Sequence, residues 1–210
     1  MSDLVIAIDG PAGSGKSTVA RAVAALLGWS FLDTGAMYRA VTAEALFLGI
    51  DVHDAKAVAD VAEHVTLTTL PRVTVNGRDV QDELRNDDVN VGVSVVAANP
   101  EVRAAMVTRQ REFAAAQPLG TVVEGRDITT VVFPYASVKI FLTASLEERA
   151  RRRGGDEGEH SVARRDHADT NREASPLRQA HDALVLDTTG RDVEDVAQEI
   201  VQWLKHNLSN

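Results

Sequence analysis

Residues 4–28 read LVIAIDGPAGSGKSTVARAVAALLG, and three patterns follow one another along them. Residues 4–8 form a short, apolar run rich in β-branched side chains, which predicts a strand buried on both faces. From Lys16 onward the apolar residues recur at helical spacing, and Gly28 ends the predicted helix. The glycine-rich segment between them matches G-x-x-x-x-G-K-[ST], the pattern of a phosphate-binding loop. We therefore expect a nucleoside triphosphate site at this turn.

The chemistry of such a loop assigns a role to each part of the motif. Glycines let the backbone N–H groups point inward at phosphate oxygens, at the positive end of a helix. Lys16 would reach the β- and γ-phosphates, and Ser17 would ligate Mg²⁺. The predicted ATP-binding residues of this segment are Gly10, Pro11, Ala12, Gly13, Ser14, Gly15, Lys16, Ser17 and Thr18. The alternative is a tight glycine turn that binds nothing.

Composition narrows the class of protein. The chain has 210 residues, 44% of them hydrophobic and 25% charged, which suits one globular domain with small insertions. A net charge of −9 argues against a nucleic acid polymer or an anionic membrane as partner. The absence of cysteine excludes disulfides, thiol nucleophiles and cysteine-ligated metals. With neither a secretory signal nor a long apolar run, we expect a cytoplasmic protein, and we expect a monomer.

The order of the predicted elements indicates an α/β fold. A second strand over 29–32, a loop at 33–35 and a helix over 37–48 continue the alternation, which is typical of a mostly parallel sheet flanked by helices. Asn76-Gly77 between two alternating runs predicts a type I′ hairpin, so we expect a small antiparallel insertion at 51–88. Residues 149–174 are polar and rich in arginine, and we expect a surface excursion or a mobile flap there.

A second phosphate pocket is predicted at the strand ends, because ligands of open parallel sheets lie beyond the carboxyl ends of the strands. Residues 33–39 and 124–127 follow two such strands, and each segment carries one arginine, Arg39 or Arg126. Alone, either residue is more readily explained as a surface charge. Two arginines at strand ends beside a phosphate loop favour phosphate binding. For the arginines of 149–153, a solvated helix face remains the alternative to a role over the phosphates.

Together these motifs resemble the bacterial cytidylate kinase family, which consists of nucleoside monophosphate kinases of the P-loop fold. The resemblance covers nearly the whole chain and rests on residues 8–18, 32–39, 124–134, 138–142 and 165–172. It implies a mostly parallel five-stranded sheet with a core domain at 1–50 and 89–210 and a short arginine-rich lid at about 149–174. The insertion at 51–88 would form a small antiparallel domain on the monophosphate side. The implied activity is ATP-dependent phosphorylation of CMP and dCMP with Mg²⁺ as cofactor.

The resemblance also implies roles for individual residues. Catalysis would use Lys16, Arg126, Arg165 and Arg172, the last two reaching from the lid to bridge the two substrates, and Arg152 would bind ATP. The residues implied for CMP are Thr34, Tyr38, Arg39 and Arg126 at the phosphate with Ser14 nearby, Ser94, Arg103 and Asp127 at the cytosine, Asp169 at the sugar, and Arg172.

The cytosine assignment agrees with the chemistry of the base. A carboxylate such as Asp127 accepts from the N4 amino group and repels the O4 of uracil, while Arg103 suits N3 and O2. Three features depart from the family pattern: a short lid segment at 154–160, Glu124 in place of aspartate, and Thr129 where glycine is common. Two alternatives stay open, namely a kinase of UMP or another small acceptor, and a nucleotide sensor without turnover.

Overall fold

The computed structural model describes residues 4–153 and 158–208. The chain separates into two compact units, one drawn from residues 1–32 and 111–210 and the other from residues 33–110. The predicted domain boundaries at 51 and 88 stay a prediction. Within the described residues, no helix is long and apolar enough to span a bilayer.

Strands and helices alternate through most of the chain. The strands are β1 (Val5–Asp9), β2 (Ser30–Asp33), β3 (Leu67–Thr68), β4 (Thr74–Val75), β5 (Arg78–Asp79), β6 (Thr121–Gly125), β7 (Val138–Thr143) and β8 (Leu184–Asp187). The helices are α1 (Lys16–Leu27), α2 (Thr34–Phe47), α3 (Ala55–His64), α4 (Asp87–Ala98), α5 (Pro100–Ala115), α6 (Leu146–Arg152), α7 (Gly158–Asn171) and α8 (Val193–Leu208). A 3-10 turn spans Glu83–Arg85, and a π-helical turn spans Ile128–Val132.

The first unit is built on a five-stranded parallel sheet of order β2-β6-β1-β7-β8, which confirms the predicted fold class. The central strand β1 is buried along its whole length, as its apolar run predicts. Ile8 and Ile140 of adjacent strands pack with Val23 of α1 and Ile200 of α8 in one core, and α1 contacts α8. Because β1 is the central strand, the loop that follows it starts from the buried middle of the sheet.

The second unit combines α2, α3, α4 and the part of α5 up to residue 110 with the antiparallel sheet β3-β4-β5. Asn76 and Gly77 both have positive φ, 52° and 80°, so the hairpin forms where the sequence predicts it. Glu44 of α2 accepts hydrogen bonds from Asn76 and Arg78, at 3.0 Å each. These bonds tie the hairpin to α2.

The start of α2 differs from the prediction. The predicted loop at 33–35 is wrong, because α2 begins at Thr34 rather than at residue 37. Asp33 is its N-cap, and its Oδ1 accepts a 2.9 Å hydrogen bond from the N–H of Ala36. The N–H groups of the first turn have no acceptor within the helix. The Asp33 carboxylate provides one, which lets α2 start directly after β2.

The lid region, predicted as a surface excursion or a mobile flap over 149–174, is largely helical. It contains most of α6 and all of α7, and these two helices contact each other. Ser145 is the N-cap of α6, and its hydroxyl accepts a 3.2 Å hydrogen bond from the N–H of Glu148. Val162 of α7 is buried, which gives this polar segment an apolar anchor. Four residues of the shortened segment, Gly154, Gly155, Asp156 and Glu157, lie outside the described residues.

Candidate active site

The phosphate loop occupies the turn between β1 and α1, and two of its glycines are required by close packing. A Cβ at Gly10 would collide with the carbonyl oxygen of Leu142 on β7. Gly13 has φ +77°, and a Cβ there would lie 2.6 Å from the carbonyl oxygen of Arg149. The loop is therefore packed against both the sheet and the lid helix α6.

Lys16, the first residue of α1, is buried at the base of the loop. Its ammonium Nζ donates a 2.8 Å hydrogen bond to the carbonyl oxygen of Pro11. Burial, reinforced by the charge of Arg126, lowers the pKa of Lys16 to about 7, although Glu124 acts in the opposite direction. Poorly solvated positive charge at a ring of backbone N–H groups favours a polyphosphate, which supplies the missing counter-charge.

Ser17 and Glu124 form a pair of oxygen ligands beside Lys16. The Ser17 hydroxyl donates a 2.6 Å hydrogen bond to Oε1 of Glu124, which is buried on β6. One hydroxyl and one carboxylate suit Mg²⁺, which takes few protein ligands and shares the rest with phosphate and water. The residues therefore fit the predicted cation. Sequence analysis noted Glu124 only as a departure from the family pattern and did not predict it as a metal ligand. Its position at the end of a strand next to β1 was the signal that could have identified it.

Four of the predicted site residues lie together in the first unit. Arg126 donates from Nε to Oδ2 of Asp169 at 2.7 Å. Nη2 of Arg172 lies 3.7 Å from Oδ1 of Asp127, and its Nη1 lies 4.0 Å from Oδ1 of Asp169. The two arginines and two carboxylates thus form one charged cluster, the Arg126 cluster, between the end of β6 and the lid.

Electrostatics keep Arg126 and Asp169 of this cluster ionised. Burial alone would raise the pKa of Asp169, but the charge and hydrogen bond of Arg126 outweigh it, and Arg172 and Arg165 add to the effect. The pKa of Asp169 is therefore lowered. For Arg126, burial acts to lower the pKa, and the pairing with Asp169 overcomes it so that the pKa is raised. Both partners keep their charge over the physiological range.

A second lid contact reaches the phosphate loop itself. Nη1 of Arg149 donates to the carbonyl oxygen of Ala12 at 3.0 Å and also forms an ion pair with Asp166. Oδ1 of Asp166 accepts from the N–H of Ala12 at 3.0 Å. This Ala12 latch joins α6, α7 and the loop. A solvated helix face is therefore wrong for Arg149, whereas Arg151 is 73% exposed and pairs only with Glu148 of its own helix among the described residues.

Arg152 is held beside the loop by a third set of bonds. It donates to the carbonyl oxygen and the hydroxyl of Thr188 at 2.6 and 2.8 Å, and to Glu148 at 2.8 Å. The buried Thr188 hydroxyl also lies 3.1 Å from the carbonyl oxygen of Ser14. Sequence analysis did not identify Thr188. The available signal was its position directly after β8, where a hydroxyl lies at the end of a strand of the sheet that carries the phosphate loop.

The remaining predicted residues belong to the second unit. Arg39 of α2 donates to the carbonyl oxygen of Leu84 at 3.1 Å and to Oδ1 of Asn90 at 2.8 Å. The guanidinium carbon of Arg103 lies 5.5 Å from the ring centroid of Tyr38, and Nη1 of Arg103 donates to Ala97 at 3.1 Å. Thr34 is buried on α2, and Ser94 is half-buried on α4.

Comparison with known proteins assigns the chain to a family. The cytidylate kinase family model matches residues 6–206. The chain belongs to the cytidylate kinase family. It is 46% identical to the cytidylate kinase of Geobacillus kaustophilus, with 97% of each chain covered. It is also 50% identical to the cytidylate kinase of Mycolicibacterium paratuberculosis, covering 90% of this chain and 89% of that protein.

Solved structures agree with the fold. The crystal structure of TT1252 from Thermus thermophilus superposes with a TM-score of 0.52 at 23% identity, covering 97% of each chain. At that identity the likeness supports the arrangement of elements in this cytidylate kinase family member and nothing about its substrate.

Proposed function

We propose that this protein transfers the γ-phosphoryl group of ATP to CMP and dCMP by direct in-line displacement, giving ADP and CDP or dCDP. The observation that carries the proposal is the buried Lys16 of the phosphate loop, set near the charge of Arg126 in a chain of the cytidylate kinase family. A kinase needs a binding site for the phosphate donor and one for the acceptor. Lys16 would contribute to the ATP site, and Arg126 would contribute to the CMP site.

On the donor side, the loop N–H groups and Lys16 bind the β- and γ-phosphates, and Arg152 adds a cation anchored by Thr188. Ser17 and Glu124 would hold Mg²⁺, which when bound neutralises charge on the phosphate oxygens. Backbone donors and a lysine are fixed before the reaction, so little reorganisation is needed as charge develops.

On the acceptor side, Arg39 and Arg126 would hold the CMP phosphate, with Thr34 and Tyr38 beside it. Asp127, Arg103 and Ser94 would read the cytosine, and Asp169 would bind the sugar. The position of the Arg103 guanidinium over the Tyr38 ring supports this assignment, because it places two residues proposed for CMP next to each other. A misfit base leaves buried polar groups unpaired, which is the source of selectivity.

In the transition state, negative charge spreads over the transferred oxygens, and Arg165 and Arg172 of the lid would stabilise it. The acceptor is already an ionised phosphate, so no general base is required. Arg172 makes its contacts with Asp127 and Asp169, residues of the proposed acceptor site, which supports a role between the two substrates.

An acceptor panel tests the proposal. ADP release is measured with CMP, dCMP, UMP, AMP and shikimate at equal concentration with Mg-ATP. We expect turnover with CMP and dCMP, and kcat/KM for UMP lower by about 10²-fold to 10⁴-fold, the range expected for unpaired buried hydrogen-bonding groups. Preference for UMP or shikimate would assign another acceptor. ATP binding without CMP-dependent ADP release would indicate a nucleotide sensor.

A further inference from the structure

Asp9, the last residue of β1, makes contacts that the proposed chemistry does not use. It directly precedes the phosphate loop, and its carboxylate is fully buried. Oδ1 accepts from the N–H of Ile128 at 2.9 Å. Oδ2 accepts from both the N–H and the hydroxyl of Thr129, at 2.7 Å each. One carboxylate thus receives three hydrogen bonds from two consecutive residues.

These two residues open the π-helical turn Ile128–Val132, directly after Arg126 and Asp127. The first N–H groups of any helical turn have no partner within it, and a carboxylate placed there satisfies them and complements their dipoles. Asp127 does not cap the turn with its own side chain. Asp9 provides the cap from another strand, which joins the Arg126–Asp127 backbone to the strand that carries the phosphate loop.

We infer that Asp9 and Thr129 are positioning residues of the acceptor site, which fix the backbone bearing Arg126 and Asp127 relative to the phosphate loop. This inference rests on the proposed function, because it takes Arg126 and Asp127 to bind CMP. Neither Asp9 nor Thr129 needs to touch a substrate. Their effect is geometric: a shift of about 1 Å in a group that aligns two reactants is enough to reduce the rate strongly.

Thr129 is buried beside Asp9 and contributes two of its three hydrogen bonds. Its side chain is almost completely buried, and the hydroxyl gives Asp9 its third hydrogen bond. Two charged groups interact with Asp9: the charge of Asp127 raises the pKa of Asp9, and the charge of Asp9 raises the pKa of Lys16. A third donor favours the ionised carboxylate against burial and the nearby Asp127, and so keeps the cap intact at neutral pH.

The test compares substitutions at Thr129 in the full-length protein. Thr129→Val keeps the shape and removes the hydroxyl; Thr129→Ser keeps the hydroxyl. We expect Thr129→Val to raise KM for CMP about tenfold, as for loss of one hydrogen bond to a charged group, with KM for ATP changed less than twofold. Thr129→Ser restores the value. Thr130→Val is the matched control, because its hydroxyl makes only a weak 3.5 Å contact with the carbonyl oxygen of Asp127.

The outcomes separate the inference from the function. If the unaltered protein turns over CMP but Thr129→Val leaves KM for CMP unchanged, or raises KM for both substrates equally, the positioning role is wrong and the proposed function stands. If the unaltered protein shows no CMP turnover, the proposed function fails, and the inference fails with it. Asp9→Asn provides a second measurement: it should lower the CMP-over-UMP preference, and an unchanged preference in a folded variant counts against the inference.

Discussion

Arg126 and Asp169 form a 2.7 Å hydrogen-bonded ion pair that links the end of β6 to the lid helix α7. Both side chains are mostly buried, with 23% and 15% exposed. The arginine proposed for the CMP phosphate is therefore already charge-paired with the carboxylate proposed for the CMP sugar. A bound phosphate would compete with Asp169 for Arg126, so acceptor binding and the position of α7 are expected to be coupled.

Arg172 provides the first prediction, because it lies beside both carboxylates of the Arg126 cluster. We expect Arg172→Ala to lower kcat by about 10²-fold to 10³-fold while the Kd for ATP stays within a few-fold, as for a donor that acts mainly in the transition state. Steady-state kinetics and ATP titration measure the two quantities. Arg178→Ala, which changes an exposed arginine later in the chain, is the control. Unchanged turnover would remove Arg172 from the mechanism.

The sequence was sufficient where structure is determined locally. β1, the phosphate loop and α1 were predicted almost to the residue, because apolar periodicity and the glycine pattern act within a few residues. The start of α2 was missed because it depends on the orientation of one side chain, the cap Asp33. A local pattern does not specify whether such a residue ends a strand or starts a helix.

The sequence predicts the phosphate-loop motif of the candidate site, but not the long-range hydrogen bonds that hold the site together. Arg149 meets Ala12, which lies 137 positions earlier in the chain, and Thr188 meets Ser14 over 174 positions. Asp9 meets Thr129 over 120 positions. Such pairs are created by the order of strands in the sheet, and a single sequence contains no signal that links them. The motifs point to most of the residues proposed to touch substrate, but they do not show which residues pair with one another to hold the site.

The lowered pKa of Lys16 predicts that the protein takes up a proton when ATP binds. The pKa of Lys16 is lowered to about 7, chiefly by burial, and the negative charge of bound ATP phosphates would favour the protonated amine. At pH 8, Lys16 is mostly neutral in the free protein, so Mg-ATP binding should take up close to one proton, and at pH 6 close to none. Calorimetry in buffers of different ionisation enthalpy measures this uptake. Lys16→Met should abolish it, and an uptake independent of pH would contradict the assignment.

Thr188 should affect the donor nucleotide, because its hydroxyl contacts both Arg152 and the loop carbonyl of Ser14. We expect Thr188→Val to raise KM for ATP about tenfold through loss of a hydrogen bond to a charged group, with KM for CMP nearly unchanged. Thr188→Ser should restore the ATP value. Thr108→Val is the control, since that exposed hydroxyl donates to Ala104 of its own helix. Equal effects on both substrates would argue for a general loss of structure.

The Ala12 latch predicts how firmly the lid is held. Asp166→Asn weakens the pairing with Arg149 and the bond from the Ala12 N–H. Local opening of α6 and α7 should become about tenfold more frequent, as expected for losing one charge-assisted hydrogen bond. Limited trypsin cleavage after the lid arginines reports this opening. Asp195→Asn, on the exposed face of α8, should leave the cleavage rate unchanged. Equal cleavage in all three proteins would show that the latch does not hold the lid.

The raised pKa of Asp9 predicts how the free energy of unfolding depends on pH. Burial raises the pKa of Asp9 from 3.8 to about 6, although three hydrogen bonds from Ile128 and Thr129 act to lower it. Between about pH 4 and pH 6 the folded state therefore holds more protons than the unfolded state, so the free energy of unfolding should fall as pH rises through this interval. Asp9→Asn cannot titrate and should flatten that slope, while Asp195→Asn should keep it. Urea unfolding at several pH values measures both, and an equal slope in Asp9→Asn would show that Asp9 is not the group responsible.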